Sequence, residues 1–186
     1  MKKLKKILLI NWLYFSKELI EVDEINFLTG KNGAGKSTVI DALQIVLLGE
    51  TNARNFNQAA NEKSQRTLDG YLRADMDENN PNSRRGKDFS SFIVCEFLDD
   101  IEGRSFVCGI TFDCRSDGSR QDRYFLYDGV IPEDCFIHQG EAIDIPGVAC
   151  LSKTIRRPSK SCMTPTSNTK RICWPSGMST TSRSCG

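Results

Sequence analysis

The stretch "FLTGKNGAGKSTVIDALQIVLLG", Phe27 to Gly49, constrains the fold more than any other part of the chain. Within it, Gly30-Lys31-Asn32-Gly33-Ala34-Gly35-Lys36-Ser37 satisfies the spacing G-x-x-x-x-G-K-[ST] in full, and Thr38 follows. Each residue type meets a demand set by an anionic phosphate. Glycines let the backbone turn and aim N–H groups inward with no Cβ in the way. A helix beginning near Lys36 presents unpaired N–H groups and the positive end of its dipole. Lys36 reaches the β and γ phosphates as a point charge, and the Ser37 hydroxyl suits Mg²⁺, which prefers oxygen and keeps several waters. The four fixed positions match by chance in a chain of this length on the order of 1% of the time. The context the motif needs, an apolar strand before and a helix after, is also present. Gly30, Lys31, Asn32, Gly33, Ala34, Gly35, Lys36, Ser37 and Thr38 therefore read as a nucleotide-binding loop, with Mg²⁺ as the accompanying metal and Ser37 as the residue that bears it. The loop alone does not name a reaction.

Around it the chain reads as α/β. Leu4–Leu13 and Ile20–Thr29 are expected strands, rich in Ile, Leu and Phe. Gly30–Gly35 is a turn, and Lys36–Leu48 a helix stopped by Gly49. That helix has almost no polar face and is expected to be buried against the sheet that feeds it. Residues 50–65 are polar and Asn-rich and read as a surface loop. "RTLDGYLRADM" reads as a short helix weakened by Gly70, and "DENNPNSRRGKD" as a turn cluster. Three strands follow, "SSFIVCEFLD", "RSFVCGITFD" and "DRYFLYDG". The second alternates cleanly: Phe106, Cys108, Ile110 and Phe112 share one face, and Val107, Gly109, Thr111 and Asp113 the other. Period two marks a half-buried antiparallel strand. "DDIEGR" and "CRSDGSRQ" supply the hairpin turns. The expectation is a mixed sheet flanking one helix, with an antiparallel hairpin layer.

Composition narrows the class. No apolar run approaches the ~18 residues of a membrane helix. "MKKLKKILLINWLYF" has the lysines and apolar run of a secretion signal, but Asn11 interrupts it and no small-residue cleavage site follows. The 8 cysteines lack any C-x-x-C pair, and His138 is the only histidine. They read as reduced core thiols of a cytoplasmic protein rather than zinc ligands. The net charge of +1 conceals a split. Residues 151–186 hold seven Lys/Arg and no Asp or Glu, so residues 1–150 carry a net charge of −6. An acidic body is not the footprint of a protein that grips nucleic acid unaided. The end also has 14 Ser/Thr in 36 residues and no period. It reads either as a disordered tail or as out-of-frame translation, and the domain division expected is 1–146 and 147–186.

"TGKNGAGKSTVIDALQIVLLG" resembles the N-terminal head segment of SMC-type ATPases, in which N-G-x-G-K-S is followed by D-A and L-G. "TNARNFNQAANEKSQRTLDGYLRADM", "GKDFSSFIVCEFLDD" and "RYFLYDGVIPEDCFI" resemble the condensin-like ATPases of the MukB and JetC (Wadjet) kind, so that the likeness covers residues 4–146. The resemblance implies the N-terminal lobe of a bipartite P-loop NTPase head. It further implies ATP held between two heads, a second head and kleisin-type subunits as partners, DNA in the full assembly, and no membrane. The other lobe should bring a Walker B acidic pair and a serine-glycine signature. Neither stands in this sequence; "CEFLDD" is a weak match. ATP hydrolysis is therefore expected only from a completed head.

In SMC-type heads an I-x-Q-G stretch forms the Q-loop, whose glutamine touches Mg²⁺ and the attacking water. "FIHQGEAID" places Gln139 about the right distance along, with a plain surface turn as the alternative. Arg54, Arg66 and Arg73 follow the phosphate loop, where such heads carry a basic loop; they read either as DNA-backbone contacts or as solvated charges. Asp41 reads as a backbone cap or as a residue orienting metal-bound water. Two other readings stand beside the SMC one: an ABC-transporter-like ATPase subunit, and a non-functional remnant of a broken gene.

Overall fold

The computed structural model describes residues 1–49, 51, 67–75 and 83–149. The polar stretch over 50–65 (Thr51 apart), Arg54 and Arg66, part of the turn cluster and the tail from 151 onward lie outside the described residues.

Five strands form one sheet: β1 (Lys2–Trp12), β2 (Phe15–Glu21), β3 (Phe89–Asp99), β4 (Arg104–Cys114) and β5 (Arg120–Asp128). Their order is β2-β1-β3-β4-β5, and every pairing is antiparallel. Parallel neighbours, the other component of a mixed sheet, are not among the described residues. The hairpin turns use the residues expected of them. The Asp99 carboxylate accepts from Ile101 N at 3.0 Å, and Gly103 turns back with φ 63°. Asp117 accepts from Ser119 N at 2.8 Å, beside Gly118 at φ 92°.

Alternation along the strands sorts the core into two layers. Ile7, Leu9, Ile93, Ile110 and Phe112 point to one face, where helix α1 (Lys36–Leu48) brings Val39, Ala42 and Ile45, and helix α2 (Leu68–Arg73) brings Leu68, Tyr71 and Leu72. Leu8, Ile10, Phe92, Val94 and Val107 point to the other face, covered by Ile131, Phe136, Ile143 and Val148. That second cover is the segment after β5: a 3-10 turn (Glu133–Phe136), the short hairpin β6 (Ile137–His138) and β7 (Glu141–Ala142), and a helical turn at 145–149. Two buried carboxylates pin it down. Glu96 accepts from Ile131 N at 2.8 Å, and Asp113 accepts from Ile145 N at 2.9 Å while also bonding Ser90 Oγ at 2.8 Å. A buried carboxylate needs such donors to offset its desolvation.

Four expectations change. The lead-in over Ile20–Thr29 is strand only at its start: β2 ends at Glu21, and Asp23 and Asn26 close a local turn, with Asp23 N bonding Asn26 Oδ1 at 2.9 Å and Asn26 Nδ2 bonding Asp23 O at 2.6 Å. A strand needs a neighbour; after Val22, whose N–H still bonds the Lys5 carbonyl at 2.8 Å, residues 23–29 pair with no strand among the described residues, and Ile25 and Phe27 stand 77% and 85% exposed. The α1 helix is not buried all round. Its inner face is covered, but Ile40, Leu47 and Leu48 are exposed, because the sheet covers one side only. Strand β4 is not half-buried. From Gly109 to Asp113 both faces are covered, since the 131–149 segment supplies a layer that the period-two pattern cannot announce. Arg73 is not a solvated loop charge. It closes α2, is buried, and donates to the Arg115 carbonyl at 3.1 Å, which removes it from any DNA contact.

The described cysteines are free thiols, Cys95 and Cys114 buried and Cys108 and Cys135 half-buried. Burial pushes the Cys114 thiol up to about 11 from an ordinary 9.0, and burial followed by the neighbouring Cys108 pushes Cys95 up as well. A raised folded value favours the neutral thiol in the fold. That contribution to stability is complete below the ordinary thiol value and lost as pH rises through the folded one. The melting temperature is therefore expected to begin falling above about pH 9 and still to be falling at about pH 11, where Cys114 titrates in the fold. Cys114→Val should flatten that slope; an unchanged slope in calorimetric melts across this range would remove Cys114 as its source.

Candidate phosphate-binding site

The loop and helix follow the expected bounds, Lys36 to Leu48, closed by Gly49 in the left-handed region with its N–H on the Ile45 carbonyl at 3.1 Å. Before the helix, Gly30, Gly33 and Gly35 have φ of 147°, 85° and 87°. Side chains with a Cβ rarely adopt these angles, which is why the motif spends its glycines there. No side chain caps α1, and no acidic residue lies in its first turn. Most helices fill the cap position with Ser, Thr, Asp or Asn. Here the first N–H groups are left for an external anion, and the dipole favours one.

Lys36 Nζ folds back over the loop, donating to the Gly30 carbonyl at 2.8 Å and the Lys31 carbonyl at 2.9 Å. The ammonium is thus held at the loop by the loop's own backbone. Lys31, Asn32, Gly33 and Ala34 are exposed, Ser37 is half-buried, and the Thr38 side chain is buried. The donor set fits a magnesium-bound polyphosphate: amides and an ammonium for the anion, one hydroxyl for the metal.

Gln139 falls elsewhere, and Asp41 lies beneath the helix start. Gln139 and Gly140 form the two-residue turn of the β6–β7 hairpin, with φ of 52° and 87°, and Gln139 is exposed. The hairpin belongs to the layer on the sheet face opposite α1. Asp41 is fully buried in α1 and accepts from the Tyr71 hydroxyl.

Residues 4–63 match the family model of the P-loop containing region of AAA domain. The Gly30–Ser37 loop is a P-loop. A similar solved chain comes from a study of ATP-driven dimerization and DNA-stimulated activation of SMC ATPases. The two are 20% identical, the match covers 69% of this chain and 72% of that one, and the TM-score is 0.43, a likeness too distant to assign function. No curated protein matches the chain. Among the described residues no helix is long and apolar enough to cross a membrane, and no group of three or more His, Cys, Asp or Glu side chains is placed to hold a metal ion.

The sequence reading missed what supports the P-loop from beneath. Trp12 Nε1 donates to the Thr38 carbonyl at 3.0 Å. The Phe15 ring occupies the space a Cβ on Gly35 would need, 2.9 Å from it. Asn11, just before Trp12, was a signal in plain view: a residue tolerant of left-handed backbone inside an apolar run marks a change of direction.

Proposed function

We propose that this chain binds ATP with Mg²⁺ through its P-loop, as the N-terminal lobe of an SMC-type ATPase head. One observation carries the reading: an uncapped helix N-terminus entered through glycines at positive φ, with the Lys36 ammonium held over the loop. Amides of the loop and the first turn of α1 would take the phosphate oxygens, Lys36 the β and γ phosphates, and Ser37 the metal. Bound magnesium supplies neutralisation of the triphosphate charge. The proposal gives the metal to Ser37 rather than Gln139, because Gln139 rides on the opposite layer.

The lobe reading draws support from uncovered apolar surface. Ile25, Phe27 and Leu28 before the P-loop, Ile40, Leu47 and Leu48 on the outer side of α1, and Leu126 on edge strand β5 are all exposed. Exposed apolar clusters mark surfaces that another polypeptide covers, here a second lobe bringing its own strands and the Walker B and signature residues. A second head, kleisin-type subunits and DNA enter as partners of that completed assembly. Arg54 and Arg66 keep their place as candidate phosphate contacts within it, outside the described residues.

Titrating the full chain with Mg-ATP and Mg-ADP by calorimetry tests the reading. Saturable uptake at micromolar to millimolar ligand is expected; no heat at millimolar nucleotide with folded protein overturns it. Phosphate release should stay near background, since no described residue at the loop is placed to position a water for attack.

A further inference from the structure

Three contacts reach the start of α1 from outside it. Trp12 bonds the Thr38 carbonyl, the Tyr71 hydroxyl bonds the buried Asp41 carboxylate, and the Phe15 ring sits against Gly35. Trp12 and Tyr71 also stack on one another, with ring centroids 4.9 Å apart and planes 5° from parallel. Both rings are essentially fully buried, so neither would touch a nucleotide.

The backbone is bent out of its ordinary path to put Trp12 there. Along β1, Ile7 and Leu9 face α1 and Leu8 and Ile10 face away. Simple alternation would send Trp12 away with Leu8 and Ile10. Asn11 instead takes φ 52° and Leu13 takes φ 49°, and Trp12 and Leu13 both join the α1 layer. Bonds fix this corner: Asn11 Nδ2 to the Ser90 carbonyl at 2.8 Å, Leu13 N to the Tyr71 carbonyl at 2.8 Å, and Arg84 Nη1 to the Leu13 carbonyl at 2.9 Å. A leucine in the left-handed region persists only where its surroundings over-determine it.

We infer that Trp12 and Tyr71 are positioning residues for the P-loop. They set the rotation and depth of the first turns of α1, so that the Lys36 ammonium and the Ser37 hydroxyl are presented together. Thr38 directly follows Ser37, and Asp41 lies one turn further on the same buried side, so a bond at each fixes both the tilt and the twist of the helix start. This role rests on the nucleotide reading of the loop.

The test uses the full chain carrying Tyr71→Phe, which keeps the ring and removes only the hydroxyl, or Trp12→Phe, which keeps an aromatic ring but loses the indole N–H together with part of the ring volume. Val107→Ala, in the layer on the other sheet face, serves as the control for general destabilisation. Without ligand, amide hydrogen exchange over residues 35–41 is expected to rise about tenfold in both variants, and not in the control. With Mg-ATP, affinity is expected to fall about tenfold in both, and the gain in affinity conferred by magnesium to shrink, while Val107→Ala binds like the wild type. Unchanged exchange at 35–41, or an equal loss of affinity in Val107→Ala, overturns the inference. If the exchange difference is present and the wild type takes up no nucleotide, the nucleotide reading is what fails, and the role in binding falls with it.

Discussion

Lys36→Ala is expected to lower the affinity for Mg-ATP at least about 100-fold, which removes two or more charge-assisted hydrogen bonds to phosphate. The same change should barely move the stability of the ligand-free protein. Alanine is the best helix former, and the two bonds from Lys36 Nζ to the Gly30 and Lys31 carbonyls lie on an exposed loop. This split is what identifies a binding residue. Calorimetric titration paired with thermal melts reads both numbers. Comparable affinities for variant and wild type would mean that the ammonium is not opposite the phosphates.

Gly109→Ala is expected to be the most damaging small change in the sheet. A Cβ there would stand 2.6 Å from the Ile93 carbonyl oxygen and 2.7 Å from the Phe125 ring. Phe125 is the cross-strand partner of Gly109 and could swing aside, but the β3 backbone at Ile93 cannot move without disturbing the ladder. Overpacking of this kind costs roughly 3 kcal/mol, or a melting temperature lower by roughly 10 °C. A change of a degree or two in differential scanning calorimetry would show that the strands separate more freely than their register implies. Because Gly109 faces the layer opposite α1, the residual folded protein should keep its P-loop chemistry.

Much of this fold was legible in the sequence because the relevant signals are local. The P-loop, α1 and its glycine stop need only the spacing of Gly30, Gly35, Lys36 and Gly49. The β3–β4 pair follows from alternation and from Asp99 and Gly103 in the turn. Failures came where a remote segment decides. Nothing between Phe106 and Asp113 tells that residues 131–149 fold back to cover a second face, and nothing in Ile20–Thr29 tells that strand pairing will stop after its first residues. The inner and outer sides of α1 are equally apolar, so the pattern could not say which would be covered. Arg73 read as a solvated charge because its carbonyl partner, at Arg115, lies on another element. The support beneath the P-loop depends on a single backbone reversal at Asn11, which shifts Trp12 by one face.

The two helices have a shared anchorage. Val39, Ala42 and Ile45 of α1 and Leu68, Tyr71 and Leu72 of α2 are embedded in the same layer, so the sequence joining them starts and finishes at fixed points. Lengthening a connection between fixed points adds only about 0.6 kcal/mol of closure entropy per doubling. A change in the length of the connection is therefore expected to cost little in closure, while the apolar contacts that seat both helices stay in place.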